Sequence, residues 1–356
     1  MSGGLYQAIR ASGARRVAFV GIAKHAGKTT AMNAMIERAA EDGVPLGIVS
    51  IGVDGERSDA ILGVPKPEVR VPAGAWVASA GDVLTAGSSG LTIRESTRIS
   101  STLGDVYLAE VRQAGTVLLA GIRTAAQVEQ VLARMERLGA ELCLVDGAFD
   151  RMMAAAPGLT DGVVLSTGAV VGDTVAETVR RSEAFLQRFL LPTASEAEAE
   201  LLDAALQAKA TVVGVLAPSD ANAVGAERYL PVPLRQTPFG AHPQLDPDWP
   251  GSDAVRALAV TGALTDRLLE MLTGLPRGFS VVIPDSTHFF VTAPVWRKFW
   301  RRGHRIAVRR AVRVFGLTVN PHSVAGYDLP RRDLLQAVRE MADGIPVYDV
   351  KGQEEV

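Results

Sequence analysis

The segment from Val17 to Thr30, VAFVGIAKHAGKTT, carries residue types that could do chemistry on a phosphate. An apolar run ends at Gly21, a short loop closes on Gly27-Lys28-Thr29, and the helix-favouring stretch TAMNAMIERAAEDG follows. Strand, glycine-bounded loop and helix in that order are the context of a phosphate-binding loop of the G-x-x-x-x-G-K-T type. The glycines let successive backbone N–H groups turn inward and, with the helix N-terminus, surround a phosphate. Gly21, Lys24, His25, Ala26, Gly27, Lys28, Thr29 and Thr30 are the expected nucleotide contacts. Lys28 would reach the β- and γ-phosphates, and the Thr29 hydroxyl would take one Mg²⁺ position. A glycine turn with a surface lysine is the plainer reading, but it leaves the two flanks unexplained.

Hydrolysis also needs acids on neighbouring strands to hold Mg²⁺ and orient water. Asp146 follows the apolar run Leu142 to Val145. A carboxylate at the carboxyl end of such a strand faces the crevice where ligands bind, so Asp146 is the expected metal ligand rather than a turn cap. Asp54, in SIGVDGERSD with Glu56 and Asp59 nearby, is the second acid. It would bind Mg²⁺ through water or orient the attacking water, and a solvated charged loop reads equally well there. Lys24 either adds charge toward the γ-phosphate or points to solvent. His25 reads as a solvent-exposed loop residue, because phosphoryl transfer relies on positioning and charge more than on a strong base. Arg123 and Arg151 also fall at strand ends, where capping or salt bridging competes with a charge-stabilising role.

No Asn/Thr-Lys-x-Asp tetrapeptide follows Asp146, which favours ATP over GTP as the ligand, with Mg²⁺. Cys143 is the single thiol and lies inside the apolar string ELCLVD, so it reads as core. That excludes an intrachain disulfide and argues against a glutamine-hydrolysing synthetase, which needs an accessible thiol beside a histidine. The five histidines are scattered without H-x₃-H or H-E-x-x-H spacing, so neither a structural zinc nor a metalloprotease site is expected.

These residues need a rigid frame. The chain has 356 residues, 47% hydrophobic, 21% charged and only 5% aromatic. A core of Ala, Val, Leu and Ile suits a parallel sheet covered by helices on both faces. The first ~210 residues alternate short β-branched runs with helical patterns, which predicts a doubly wound, mostly parallel α/β domain. Strands are expected at RRVAFVG, PLGIVSIG, GTVLLAG, AELCLVDG, TDGVVLST and ATVVGVL, with helices near 28–41, 124–139, 172–189 and 195–209. Residues 61–112 break that rhythm and read as a β-rich insertion, a hairpin or meander. A surface excursion over 217–251 and a long helix from Ser252 to Thr273 lead to a boundary at Gly274-Leu275-Pro276. The expected domains are thus 1–275 and a small α/β module over 276–356, the latter alternatively supplying extra strands at the sheet edge. In that tail HRIAVRRAVRVFGLTVN reads as a single strand.

The formal net charge is -2, which gives no reason to expect nucleic acid. The tail from Pro276 is nevertheless basic, with 13 Lys and Arg against 8 Asp and Glu. Its segment from Arg297 to Arg313 carries eight basic residues and no acid, with Trp296, Phe299 and Trp300 at helical spacing. Tryptophans packed inward with arginines facing solvent or an acidic partner protein fit this better than nucleic acid. No apolar run reaches the ~20 residues of a bilayer span, and no signal peptide is evident, so a cytoplasmic protein without membrane contact is expected.

GIAKHAGKTT, SIGVDGE and LVDGAFDR together resemble the P-loop ATPase class that contains dethiobiotin synthetase, cobyrinic acid synthase and the MinD/nitrogenase iron protein group. Two departures stand out. The class has a signature lysine five residues before the catalytic one, whereas Lys24 is four before Lys28. Its synthetases carry Glu-Gly-Ala-Gly-Gly where this chain has DGAFDR, which argues against substrate ligation. The strings PKPEVRVPAG, VDGAFDR, TDGVVLSTGAVVG and GLTVNPHS…PVYDV are similar to a narrower family, the ATPase subunit of the reactivating system for adenosylcobalamin-dependent lysine 5,6-aminomutase and D-ornithine aminomutase. That resemblance implies ATP-driven rearrangement of a partner aminomutase with release of damaged cobalamin, beside a companion MutS-like ATPase subunit. Homodimerisation stays open. The alternative function is an ATP-dependent synthetase that activates a small carboxylic acid.

Overall fold

A computed structural model describes residues 3–52, 68–147, 152–216, 228–233, 255–275 and 277–349. The first element, α1 (Gly3–Ala11), was not foreseen in the sequence; it packs Leu5, Tyr6 and Ile9 into the same core as Met32, Met35 and Ile36. Then come β1 (Arg16–Gly21), α2 (Lys28–Glu41) and β2 (Leu46–Ile51). Every residue of β2 is buried, as in a strand covered on both faces.

The stretch expected as a β-rich insertion is β-rich where described. It holds β3 (Val69–Val71), β4 (Trp76–Ala80), the short α3 (Gly81–Leu84), β5 (Gly90–Ser101) and β6 (Gly104–Gln113). However, β4, β6 and β5 continue the sheet beyond β2. β5 and β6 form an antiparallel hairpin. The expected strand GTVLLAG is corrected to the three-residue β7 (Gly115–Val117), which pairs with β3 alone. The chain then binds sideways across the ends of β4 and β2: Gly121 N donates to Gly52 O at 3.1 Å, and Gly52 N donates to Ile122 O at 2.9 Å. Its backbone groups are satisfied there, so it takes no slot of its own in the sheet.

α4 (Ala125–Arg137) begins with a reciprocal capping box of Thr124 and Gln127. β8 (Leu142–Gly147), β9 (Gly162–Gly168) and α5 (Val175–Leu186) follow, close to their expected places. α2 lies on the face carrying Val17 and Phe19, and α4 lies on the other face, where a side chain at Gly47 would meet Met135.

Contacts divide the chain into Met1–Leu186 with Val312–Val356, and Gln187–Ala311. The second unit begins with α6 (Glu196–Ala208), capped by a Ser195/Glu198 box. It continues through β10 (Val212–Leu216), β11 (Tyr229–Pro233), β12 (Val255–Ala259), β13 (Leu264–Thr265), α7 (Asp266–Leu272), β14 (Ser280–Ile283), β15 (Phe289–Phe290), α8 (Ala293–Arg301) and β16 (Arg305–Val308). Its sheet runs β11-β10-β12-β14-β16, with β12, β14 and β16 parallel. Val281 and Ile283 pack toward Leu269, Leu272 and Phe299, while Val282 packs toward Leu201 and Leu202. Alternation along one strand thus buries both faces.

Three expectations fail here. ATVVGVL is β10, a strand of this second sheet rather than the first. The helix expected over 252–273 is, where described, strand β12, a turn and the seven-residue α7, because Val255, Ala257, Leu258 and Ala259 are all enclosed between helices. The boundary at Gly274-Leu275-Pro276 lies inside the second unit, as the link from α7 to β14, so the domains 1–275 and 276–356 are not those observed.

After Ala311 the chain returns to the first unit with β17 (Val314–Asn320), α9 (Arg331–Met341) and β18 (Val347–Tyr348). The single expected strand over 304–320 is therefore two, in different sheets. The alternative of extra strands for the first sheet holds only for the tail after Ala311, since β14 and β16 belong to the second sheet. Among the described residues the first sheet has nine strands in the order β18-β17-β9-β1-β8-β2-β4-β6-β5. Neighbours from β18 to β4 are parallel, and β6 and β5 close the edge antiparallel. The architecture is mixed α/β with a large, mostly parallel central sheet. Among the described residues no helix is long and apolar enough to cross a membrane.

Candidate functional site

β1 lies between β8 and β9, and its carboxyl end opens directly into the Gly21–Gly27 loop. Five residues separate Gly21 from Gly27, one more than the G-x-x-x-x-G pattern allows. The longer loop is pinned at its start, where Ile22 N donates to Ser166 O at 2.8 Å. A side chain at Gly21 would approach Ala23 O to 2.8 Å, so the loop folds back over the space a Cβ would fill. Gly27, the residue before α2, has φ 98°, in the left-handed region that glycine reaches without strain. No side chain caps α2, so the first-turn N–H groups face the loop.

Lys28 opens α2 and turns back across the sheet end. Its Nζ is 2.6 Å from Asp146 Oδ1 and donates to Gly147 O at 2.8 Å. Asp146 stands in register with Phe19 of β1 and Ser50 of β2, at the carboxyl end of β8. Ser50 Oγ donates to the Asp146 backbone carbonyl at 3.3 Å. Asp146 Oδ1 is enclosed and receives no hydrogen bond from other described groups beyond its contact with the Lys28 ammonium. The structure thus brings together Lys28 and Asp146, the two residues read as cation and metal ligand.

Other expected residues are placed as follows. Ala26 is buried, and Thr29 and Thr30 are half-buried in the first turn of α2. Lys24 is exposed, as is Arg123, whose N–H donates to Gln127 Oε1 at 2.9 Å in the cap of α4. His25 is corrected. Its backbone is left-handed, with φ 60°, and its ring is half-buried with Nε2 enclosed rather than facing solvent. Asp54, Glu56, Asp59 and Arg151 lie outside the described residues.

The residues fit a phosphate with its magnesium. The loop and the uncapped helix start offer N–H donors, and Gly21 and Gly27 keep the loop free of side-chain bulk. Mg²⁺ retains several waters and takes one or two protein oxygens beside substrate phosphates. Asp146 Oδ1, with spare acceptor capacity, and the Thr29 hydroxyl are the oxygens that would serve. Among the described residues no cluster of three His, Cys, Asp or Glu could hold a metal by itself.

One part of the site was missed. A small cavity beside the loop is lined by Ala26, Gly27 and Thr30 on one side, and by Asn320, His322 and Arg331 on the other. Asn320 Nδ2 donates to His25 O at 3.4 Å and to His322 O at 3.2 Å, while Asn320 Oδ1 accepts from His322 N at 3.3 Å. A Cβ on Gly27 would come within 3.0 Å of the Asn320 Cβ. His322 pairs with Asp328 at 2.9 Å, and Arg331 pairs with Asp349. The available signal was a polar Asn-Pro ending the apolar run GLTV. Cys143 is fully buried, and desolvation pushes its thiol up to about 12. Comparison with known proteins gives no match, whether to protein-family models, curated proteins or solved structures.

Proposed function

We propose that this chain is a P-loop protein, doubly wound about its central sheet, that binds and hydrolyses Mg-ATP and couples it to the rearrangement of a partner protein. The observation that carries the reading is the 2.6 Å contact of Lys28 Nζ with Asp146 Oδ1, behind a glycine loop at the carboxyl ends of adjacent parallel strands. In such sheets ligands bind at that edge. The loop N–H groups and Lys28 would hold the phosphates, and Thr29 and Asp146 would hold Mg²⁺, which neutralises charge on the transferring phosphoryl group. Asp54 is the proposed water-orienting or second metal-linked acid.

The partner reading rests on the resemblance to aminomutase-reactivating ATPases and on the sealed Cys143, which gives no nucleophile for glutamine-dependent ligation. An adenosylcobalamin-dependent aminomutase, with a MutS-like companion subunit, is the proposed client. Lys28→Ala is expected to abolish ATP turnover and weaken binding of a fluorescent ATP analogue while the circular dichroism spectrum is unchanged. Full turnover by Lys28→Ala would overturn the assignment. Turnover should be slow alone and rise with the client, and no stimulation by an aminomutase would remove the partner half of the proposal.

A further inference from the structure

Helix α8 of the second unit turns Phe299 into the core and leaves the other side of the helix in solvent. At about 100° per residue, Arg297 and Arg301 share that outer side, with Trp300 and Lys298 at its two borders. All four are exposed, and Trp300 keeps 62% of its surface. Trp300 is also held in place: its ring stacks on the half-buried Trp296, with centroids 5.5 Å apart and planes 21° from parallel. Arg301 Nε donates to Arg297 O at 3.3 Å. Among the described residues, no carboxylate pairs with Lys298, Arg301 or Arg302.

A helix face that needs only solubility has no use for an ordered indole, which leaves a large apolar surface in water. Tryptophan and arginine are the side chains that carry binding energy at protein interfaces, the ring as anchor and the guanidinium as bidentate partner of carboxylates. We infer that α8 is a docking surface for an acidic segment of a partner protein. An apolar side chain of that segment covers the open face of Trp300, and its carboxylates meet Arg297, Lys298, Arg301 and Arg302. Charge favours this occupant. The segment from Arg297 to Arg313 carries eight basic residues and no acid, whereas residues 187–296 of the same unit have 7 basic and 12 acidic residues. A short acidic segment is attracted to the helix alone, while a long polyanion running beyond it meets a chain of its own sign. Trp296 already occupies one face of Trp300, so the ring accepts one side chain rather than a run of stacked bases.

The inference stands without the nucleotide reading, and its test uses none. The full-length protein is titrated into a fluorescein-labelled peptide of Asp and Glu with a central Leu-Phe pair, followed by anisotropy. Controls are the same peptide in Asn and Gln, single-stranded oligothymidine, and phosphatidylserine vesicles. The acidic peptide should bind and its amide counterpart should not. Trp300→Ala should weaken binding by about tenfold, as truncation of an interface anchor does. Arg297→Glu combined with Arg301→Glu should abolish it, and Arg180→Glu in the first unit should change nothing. Since Trp300 is exposed, an unchanged melting temperature separates lost contact from lost fold. The inference is overturned if the acidic peptide does not bind, if Trp300→Ala binds it as tightly as the parent, or if oligothymidine or vesicles bind more tightly.

Discussion

The Lys28–Asp146 contact joins two side chains that a bound Mg-nucleotide would draw apart, the ammonium toward phosphate and the carboxylate toward metal. Among the described residues no third group donates to Asp146 Oδ1, and the Lys28 ammonium that meets it is anchored in turn on Gly147 O. On the proposed reading, Asp146→Asn would remove the metal's anionic ligand and release Lys28. Turnover should then fall by about 10²-fold, as on loss of one electrostatic stabiliser of a transition state. Metal-free nucleotide binding should persist or tighten. Calorimetry with and without Mg²⁺ checks this, and unchanged magnesium dependence would remove Asp146 from the metal site. Cys143 gives a sharper test of burial: its thiol should not react with a chromogenic disulfide reagent at pH 8 until denaturant is added, then react fully. Both residues were legible in the sequence because each lies in or at the end of one apolar strand. Asn320 was not legible as a site residue, since its contact with His25 spans 295 positions and exists only once β17 has joined the sheet.

Among the elements, the loop that joins β1 to α2 depends most on one backbone position. Gly27 combines φ 98° with a neighbour, the Asn320 Cβ, that a methyl group would crowd at 3.0 Å. Gly27→Ala should lower stability by about 1–3 kcal/mol, from left-handed strain plus displacement of Asn320. Nucleotide affinity should drop with it, and thermal melting together with analogue binding measures both. If the variant melts and binds as the parent does, the loop is not held as described. The strands β1, β2, β8 and β9 could be read because burial on both faces leaves an unbroken apolar run. Helices α4 and α6 could be read from their amphipathic spacing, and their capping boxes fix where each one starts. The run over 252–273 could not. Short apolar stretches suit a strand or a buried helix equally, and pairing with β14 decides for β12. GTVLLAG failed for the opposite reason, since it is apolar enough for a strand but its later residues bind across the ends of β4 and β2.

For the molecule as a whole, the division into units was hidden because the second unit is set between α5 and β17, with its ends in ordinary sequence such as AFLQRF and RRAVRV. Gly274 and Leu275, which looked like part of a linker, follow α7 inside the second unit. A consequence of having two units is that one carries a pH liability within its own core. His304 of the second unit is 2% exposed and lies against Phe299, ring centroids 4.7 Å apart, and edge-on to Phe279 at 6.4 Å. Burial holds its pKa below the ordinary histidine value, the nearby Arg302 charge adds to this, and a backbone contact with Thr273 opposes it. A histidine depressed in the fold binds its proton more readily once unfolded. Above about pH 6.5 both states are neutral and His304 contributes nothing to pH dependence. Below it the unfolded chain takes up a proton that the folded unit resists, so stability falls by up to about 1.4 kcal/mol per pH unit until the folded pKa is reached. Melts followed by tryptophan emission, to which Trp296 and Trp300 of this unit contribute, should shift down between pH 7.5 and 5.5. His304→Phe, which keeps an apolar ring beside Phe299, should flatten that shift. An equally steep decline in His304→Phe would place the acid sensitivity elsewhere in the chain.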